Sequence, residues 1–214
     1  MRWRDESGLA ATLAAVLVLL AGGVSALCWV TLGFQVVSTE GGRRLQLERS
    51  PVPVPAVVVL TPRPERLDDW LRRDGRVTLV SFFYSGCSTL CSATAGLMQQ
   101  MQDTIRARGL ERRIGLLSIS FDPADTAPVL AGYARRQHAD PAIWRLASVE
   151  QAAERRALLA AFGVVAIRMP AGDYQHNGAF HVVDRDGRLV RIMDLRAPEA
   201  ALALAQRLSS PAAP

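Results

Sequence analysis

Apolar runs of different lengths follow one another along the chain, and each length predicts a different kind of element. The run Leu9–Phe34 contains no charged residue and exceeds the roughly 20 residues that span a bilayer. The runs Val77–Tyr84 and Ile114–Phe121 are shorter and rich in β-branched and aromatic residues, which is typical of parallel strands buried on both faces. The pattern therefore predicts a membrane-spanning segment followed by a sheet-based domain.

Strands and helices alternate in the predicted domain. The predicted strands are Val57–Leu60, Val77–Tyr84, Ile114–Phe121, Trp144–Ala147, Ala179–Asp184 and Leu189–Met193. The predicted helices are Ser92–Gly109, Ala127–His138 (introduced by the capping-type residues Asp125 and Thr126), Val149–Phe162 and Pro198–Leu208. The last two strands form a hairpin that turns at Arg185-Asp186-Gly187. This alternation predicts an α/β sandwich with a mixed sheet.

The same pattern divides the chain into segments. We expect a short N-terminal cytoplasmic segment (1–8) and then a transmembrane helix or signal anchor (9–34). Prolines, glycines and arginines predict that residues 35–55 form a tether. Residues 56–208 are expected to form the folded domain, and residues 209–214 a tail.

The charges beside the apolar run predict its orientation. Arg2 and Arg4 lie on the short side of the run and favour a cytoplasmic N-terminus. The expected location is the inner (cytoplasmic) membrane, crossed once, with the soluble domain facing the periplasm or an equivalent extracytoplasmic space. A cleaved signal peptide is the alternative, because Val24-Ser25-Ala26 resembles a small-residue cleavage site.

Charge and cysteine content exclude several classes of function. The net charge of +5 includes 25 basic residues that are all arginine, so lysine Schiff-base chemistry is excluded. The arginines are scattered without an aromatic-interleaved basic patch, so no nucleic-acid partner is expected. Three cysteines cannot build a disulfide-rich scaffold, and Cys28 falls in the apolar run, where no role is expected for it.

The other two cysteines lie in the stretch GCSTLCS, directly after the run Val77–Tyr84. This position predicts Cys87 at the end of a central strand and Cys91 in the first turn of the next helix, where the helix N-terminus stabilises a thiolate. Thiolates serve both disulfide exchange and metal ligation. A redox pair, a metal site and an inert staple are therefore the three alternatives.

A metal site needs a third ligand, and the chain has three histidines. His138 ends an exposed helix and His181 lies within a strand, whereas His176 lies in the polar loop DYQHNG, from which it can reach the end of the sheet. A structural zinc site that uses both cysteines with His176 and His181 is disfavoured, because residues five apart in an extended segment face opposite sides. Two soft thiolates and one imidazole suit Cu(I) instead.

Three stretches carry a family resemblance: FFYSGCSTLC (82–91), SISFDPADTAPVLAGYA (118–134) and DYQHNGAFHVVDRDGRLV (173–190). In these stretches the chain resembles the Sco/SenC proteins, membrane-anchored thioredoxin-fold proteins that bind copper during assembly of cytochrome c oxidase. The resemblance runs from about Val57 to Asp194. It implies an α/β fold with a thioredoxin-like mixed sheet flanked by helices, behind an N-terminal transmembrane helix.

The resemblance also implies a site and a function. Cys87, Cys91 and His176 would bind copper as Cu(I), with Cu(II) left open. The chain would be a copper metallochaperone that delivers Cu(I) to a copper centre of a terminal oxidase during respiratory complex assembly. Its partners would be the copper-site subunit of that oxidase, a thiol reductant and the membrane. Asp122 matches an acidic position near the family's copper site and is equally well explained as a turn residue.

The chain departs from the family's pattern at two places. Ser88 and Ser92 stand where a proline usually follows each cysteine, and Gln175 stands where an aspartate usually precedes the histidine. These changes leave the ligands in place and alter the loops around them. The alternative function is an extracytoplasmic thiol–disulfide oxidoreductase, in which Cys87 and Cys91 are a catalytic redox pair acting on the cysteines of a copper-site partner. Whether the chain is an enzyme therefore stays open, and a copper sensor and a peroxiredoxin-like peroxidase are weaker alternatives.

Overall fold

The structure is a computed structural model, and it describes residues 5–30, 39–61, 63–87, 90–170 and 172–210. The side chains of residues 5–7, 39–40 and 90–92 lie outside that description. The chain divides into two units, Met1–Leu45 and Gln46–Pro214.

The first unit contains the long helix α1, Asp5–Val30. Its segment Gly8–Val30 has 23 residues, which corresponds to roughly 35 Å of helix at the usual rise per residue. The hydrocarbon core of a bilayer is about 30 Å thick. By length and composition α1 could therefore cross a membrane, as the apolar run predicts.

The second unit contains most of the other elements. After helix α2 (Thr39–Arg49), which begins in the segment predicted as a tether, the strands are β1 (Val52–Pro53), β2 (Val58–Leu60), β3 (Pro64–Arg66), β4 (Val77–Phe83), β5 (Ile114–Ser120), β6 (Trp144–Ser148), β7 (Ala166–Arg168), β8 (Tyr174–His176), β9 (Ala179–Val183) and β10 (Arg188–Asp194). The helices between them are α3 (Leu67–Asp74), α4 (Leu90–Ala107), α5 (Ala127–Arg136), α6 (Ala152–Phe162) and α7 (Pro198–Ser209).

Eight of these strands form one mixed sheet in the order β1-β10-β9-β4-β5-β6-β2-β3. Strand β4 pairs in parallel with β5, and β5 in parallel with β6, while β9 runs antiparallel to β4. Every residue of β4 and β5 is buried, as expected for apolar strands covered on both faces. The predicted α/β class, with a thioredoxin-like mixed sheet flanked by helices, is confirmed.

The helices pack against this sheet as the alternation predicts. Helix α7 packs against β4, β5 and β9, α4 against β5, and α5 against β6. The structure adds α3 and the two-stranded hairpin β7–β8, for which the apolar pattern indicates no element. Helix α3 has only eight residues and mixes charged with apolar side chains, and β7 and β8 have three residues each. Strands this short show no recognisable period, whereas Leu67, Trp70 and Leu71 of α3 do lie at helical spacing ahead of Gly75.

Candidate functional site

Parallel strands β4 and β5 end side by side, with Phe83 opposite Ser120. The next residue of each strand is aromatic, and the ring centroids of Tyr84 and Phe121 lie 5.7 Å apart. The carboxyl ends of parallel strands are where α/β proteins place their ligand sites. The cysteine motif begins at this end of the sheet.

The chain turns directly after Tyr84. The backbone N–H of Cys87 donates to the carbonyl of Tyr84 at 3.3 Å, which closes a tight turn over Ser85 and Gly86. Cys87 is half-buried, and its side chain lies beside the hydroxyl of Tyr84. Burial raises the pKa of Tyr84, so this hydroxyl stays protonated at neutral pH. The backbone of Cys91 lies in the first turn of α4, as predicted, and its side chain lies outside the described part of the chain.

A buried carboxylate holds the turn from the sheet side. Asp125 is 4% exposed and accepts both the backbone N–H of Ser85, at 2.8 Å, and the Ser85 hydroxyl. The hydroxyl of Ser120 donates to the same carboxylate. Thr126 occupies the N-cap position of α5 without a side-chain cap bond, so Asp125 supports the cysteine turn rather than the helix. Three neutral donors allow this carboxylate to be buried.

The hairpin β7–β8 brings His176 to the same end of the sheet, on a short strand where the sequence predicts a loop. Tyr174 and His176 are two residues apart on β8 and share one face. The ring centroid of Tyr174 lies 5.2 Å from that of Tyr84 and 5.3 Å from that of Phe121. The imidazole centroid of His176 lies 5.0 Å from Phe121 and 6.2 Å from Tyr84. Tyr84 therefore adjoins both Cys87 and His176.

Asn177 closes the base of the hairpin and sets the tautomer of His176. Its Oδ1 accepts the N–H of Val165 at 2.8 Å, and its Nδ2 donates to the carbonyl of Gly163 at 2.9 Å. Nδ1 of His176 lies 3.0 Å from the carbonyl of Asn177. Because a carbonyl only accepts, this contact assigns the proton of the neutral imidazole to Nδ1 and leaves the lone pair on Nε2. Burial lowers the pKa of His176, which favours the neutral form that binds metals.

The other two histidines lie elsewhere. His181 is 2% exposed, with its ring centroid 5.3 Å from those of both Phe82 and Phe162. Its Nε2 lies 3.0 Å from the carbonyl of Phe162 and its Nδ1 3.3 Å from that of Val80. This is the environment of a core residue, as the sequence predicts for a strand histidine. His138 is exposed in the turn after α5, with a positive φ of 52°.

Asp122 is a turn residue that also lies close to the β7–β8 hairpin. Its Oδ1 accepts the N–H of Ala124 at 2.9 Å, as a turn residue does. Its carboxylate also lies beside the hydroxyl of Tyr174. Burial and then the charge of Asp122 raise the pKa of Tyr174. Asp122 therefore contacts the strand that carries His176.

Among the side chains that the structure describes, no three His, Cys, Asp or Glu residues lie close enough together to hold a metal ion, and Cys91 is not part of that set. Sequence reasoning missed the supports of the site, namely Tyr84, Phe121, Tyr174 and Asn177. The available signal was positional, because Tyr84 and Phe121 each directly follow a buried parallel strand.

The sequence model of the SCO1/SenC family matches residues 65–209, more than half of the chain. The chain belongs to the SCO1/SenC family. The resemblance seen in the three motifs is thereby confirmed. A comparison with curated protein sequences gives no match.

Solved structures of this family have the same fold. A SCO1/SenC family lipoprotein from Bacillus anthracis is 18% identical, with a TM-score of 0.64 over 76% of this chain and 99% of that chain. BsSco, a Sco family member in which a disulfide switch was identified, is 19% identical, with a TM-score of 0.64 over 75% of this chain and 95% of that chain. ScoI from Bradyrhizobium japonicum, with copper bound, is 24% identical, with a TM-score of 0.59 over 73% of this chain and 99% of that chain. At these identities the likeness shows the fold.

Proposed function

We propose that this SCO1/SenC protein binds Cu(I) through the thiolates of Cys87 and Cys91 and the imidazole of His176, and delivers it to a copper centre of a terminal oxidase. The observation that carries the proposal is the position of Tyr84, whose backbone carbonyl accepts the N–H of Cys87 at 3.3 Å and whose ring centroid lies 6.2 Å from that of His176. The family supports cytochrome c oxidase assembly as the setting, and copper-bound relatives support copper as the cofactor.

The chemistry of the donors fits this cargo. Thiolates and imidazole are ligands that Cu(I) accepts. A three-ligand site leaves copper open to a fourth donor, so an incoming ligand of the partner can add before a ligand of this chain leaves. Such an exchange moves the ion without moving an electron. Nε2 of His176, which keeps its lone pair in this tautomer, is the nitrogen that would bind the copper.

The expected location follows from α1. The apolar helix Gly8–Val30 would anchor the chain in the inner membrane, with residues 56–208 on the periplasmic side. Protease added to intact spheroplasts should then digest the domain, and protection of the domain would contradict this orientation.

Cu(I) affinity tests the proposal. We would purify the full-length chain in detergent, reduce it, and titrate it anaerobically with Cu(I) against a chromophoric Cu(I) chelator. The parent should bind one equivalent, and His176→Ala should weaken binding by roughly 100-fold or more, since even residues that only orient a ligand change affinity by about 10–100-fold. His138→Asn is the matched control, because His138 is exposed and Asn tolerates its backbone conformation. Equal affinity in the parent and His176→Ala would contradict the predicted third ligand.

A thiol–disulfide oxidoreductase is the second candidate, and the disulfide switch identified in BsSco favours it. One thiolate of Cys87 and Cys91 would attack a partner disulfide and form a mixed disulfide. The other cysteine would then displace the partner, leaving an internal disulfide here and a dithiol on the partner, a transfer of two electrons and two protons. This reaction does not use His176. His176→Ala should therefore keep the dithiol reactivity of the parent if oxidoreduction is the function.

A further inference from the structure

The hydroxyl of Tyr84 contacts both halves of the proposed site. It lies beside the side chain of Cys87, and it accepts the backbone N–H of Tyr174 at 3.4 Å. Tyr84 is 6% exposed, so its hydroxyl is held mainly by protein groups. One oxygen atom thus joins the turn after β4 to strand β8, whose Tyr174 lies 90 residues further along the chain.

A second contact holds the same strand. The hydroxyl of Tyr174 lies beside Asp122, while its ring packs edge-on against Tyr84 at 5.2 Å. The β7–β8 hairpin consists of two three-residue strands. An isolated hairpin is at best marginally stable in water, so the position of this one depends on what it packs against. Tyr84 and Asp122 are two of its contacts at the end of the sheet.

We propose that Tyr84 is a positioning residue for copper binding: its hydroxyl sets the place of Cys87 relative to the hairpin that carries His176. The inference rests on the proposed function. Ser88 and Ser92 stand where the family usually has proline, so these two positions lack the restriction on φ that a proline imposes. Without the hydroxyl, copper binding must order the two halves of the site itself, and this ordering lowers the affinity.

Removing the hydroxyl alone tests the proposal. In the full-length reduced chain, Tyr84→Phe should weaken Cu(I) binding by roughly 10–100-fold, as loss of an orienting contact does at metal sites. Tyr133→Phe is the matched control, because Tyr133 is equally buried at 6% and its ring packs on Phe83 at 4.8 Å. The control should bind Cu(I) within about twofold of the parent. Thermal unfolding of each variant records any loss of fold.

A double-mutant cycle separates positioning from a general structural effect. In the His176→Ala background there is no imidazole to place, so Tyr84→Phe should then change Cu(I) affinity by no more than about twofold. Tyr174→Phe, which removes only the contact with Asp122, should show a smaller loss that also vanishes in this background. This second variant tests the same coupling if Tyr84→Phe folds poorly.

Two results overturn the inference alone. One is a Tyr84→Phe variant that binds Cu(I) as tightly as the parent. The other is a loss of equal size with and without His176, because the hydroxyl would then act on the cysteines only. A parent chain that binds no Cu(I) overturns the proposed function itself, and the inference with it.

Discussion

The imidazole of His176 packs against Phe121 and Tyr84 at the end of the sheet, whereas that of His181, five residues later, lies in the core between Phe82 and Phe162. His176 is half-buried, and its Nδ1 lies 3.0 Å from the carbonyl of Asn177. Both nitrogens of His181 lie near backbone carbonyls. Aromatic neighbours are therefore common to both. The difference that matters for function is burial, because His176 is half-buried at the end of the sheet whereas His181 is 2% exposed in the core.

The largest expected effect comes from truncating the buried histidine, His181. His181→Ala should lower the free energy of unfolding by about 3 kcal/mol, in the range of large-to-small core substitutions. Chemical denaturation measures this loss. The folded fraction should keep the Cu(I) affinity of the parent. A His181 variant that folds normally but no longer binds Cu(I) would contradict the assignment of His176, rather than His181, as the ligand.

His181→Phe divides that effect into its parts. The ring is retained between Phe82 and Phe162, while the one carbonyl that accepts the imidazole N–H, that of Phe162 or that of Val80, loses its donor. The loss should fall to about 1–2 kcal/mol, the cost of leaving a buried polar group unpaired. A loss as large as that of alanine would mean that hydrogen bonding, rather than packing, dominates at this position.

Asp125→Asn changes the buried carboxylate that holds the cysteine turn. The asparagine amide would bring a donor to a place where Ser85 and Ser120 already donate, which should cost about 2 kcal/mol of unfolding free energy. Because the cysteine turn loses its anchor, Cu(I) affinity should fall roughly tenfold. Unchanged affinity in a destabilised variant would show that the turn keeps its shape without Asp125.

Asn177→Ala tests the β7–β8 hairpin that carries His176. It removes the two hydrogen bonds that join Asn177 to Val165 and Gly163, and an exposed pair of this kind should contribute about 1 kcal/mol. Hydrogen exchange of the β7–β8 amides should become faster while that of β4 and β5 stays slow. Uniformly faster exchange would mean that the hairpin is part of the same cooperative unit as the core.

The smallest effect concerns acid and involves neither histidine. The hydrogen bond from Arg66 holds the pKa of Asp68 below its ordinary value. A carboxylate with a lowered folded-state pKa stabilises the protein above its unfolded pKa of about 3.9 and loses that contribution as the pH falls through the lower value. Asp68→Asn should be slightly less stable than the parent at neutral pH and equally stable in strong acid. A stability difference between the two proteins that grows as the pH falls would contradict a lowered pKa of Asp68.

Much of the fold could be predicted because its signals are local. The apolar, β-branched composition predicts two buried strands without knowledge of their partner strands, Val77–Phe83 and Ile114–Ser120. The placement of Cys91 in the first turn of α4 follows from the same strand-to-helix pattern. The hairpin β7–β8 could not be predicted, because three-residue strands carry no period and this pair depends on contacts with Asn177 and the sheet end.

The sequence by itself determined the succession of strands and helices along the chain, the position of two cysteines after a buried strand, and the family. Each of these depends on residues that are neighbours within short stretches of the chain. Only the tertiary structure decided that Asp125 supports the cysteine turn, through a partner 40 residues away, and that Tyr84 adjoins strand β8, through one 90 residues away. The physical reason is that a polar side chain takes its role from the donors and acceptors that burial brings to it. These partners meet at the carboxyl ends of the parallel strands β4 and β5. No short stretch of sequence contains both members of such a pair.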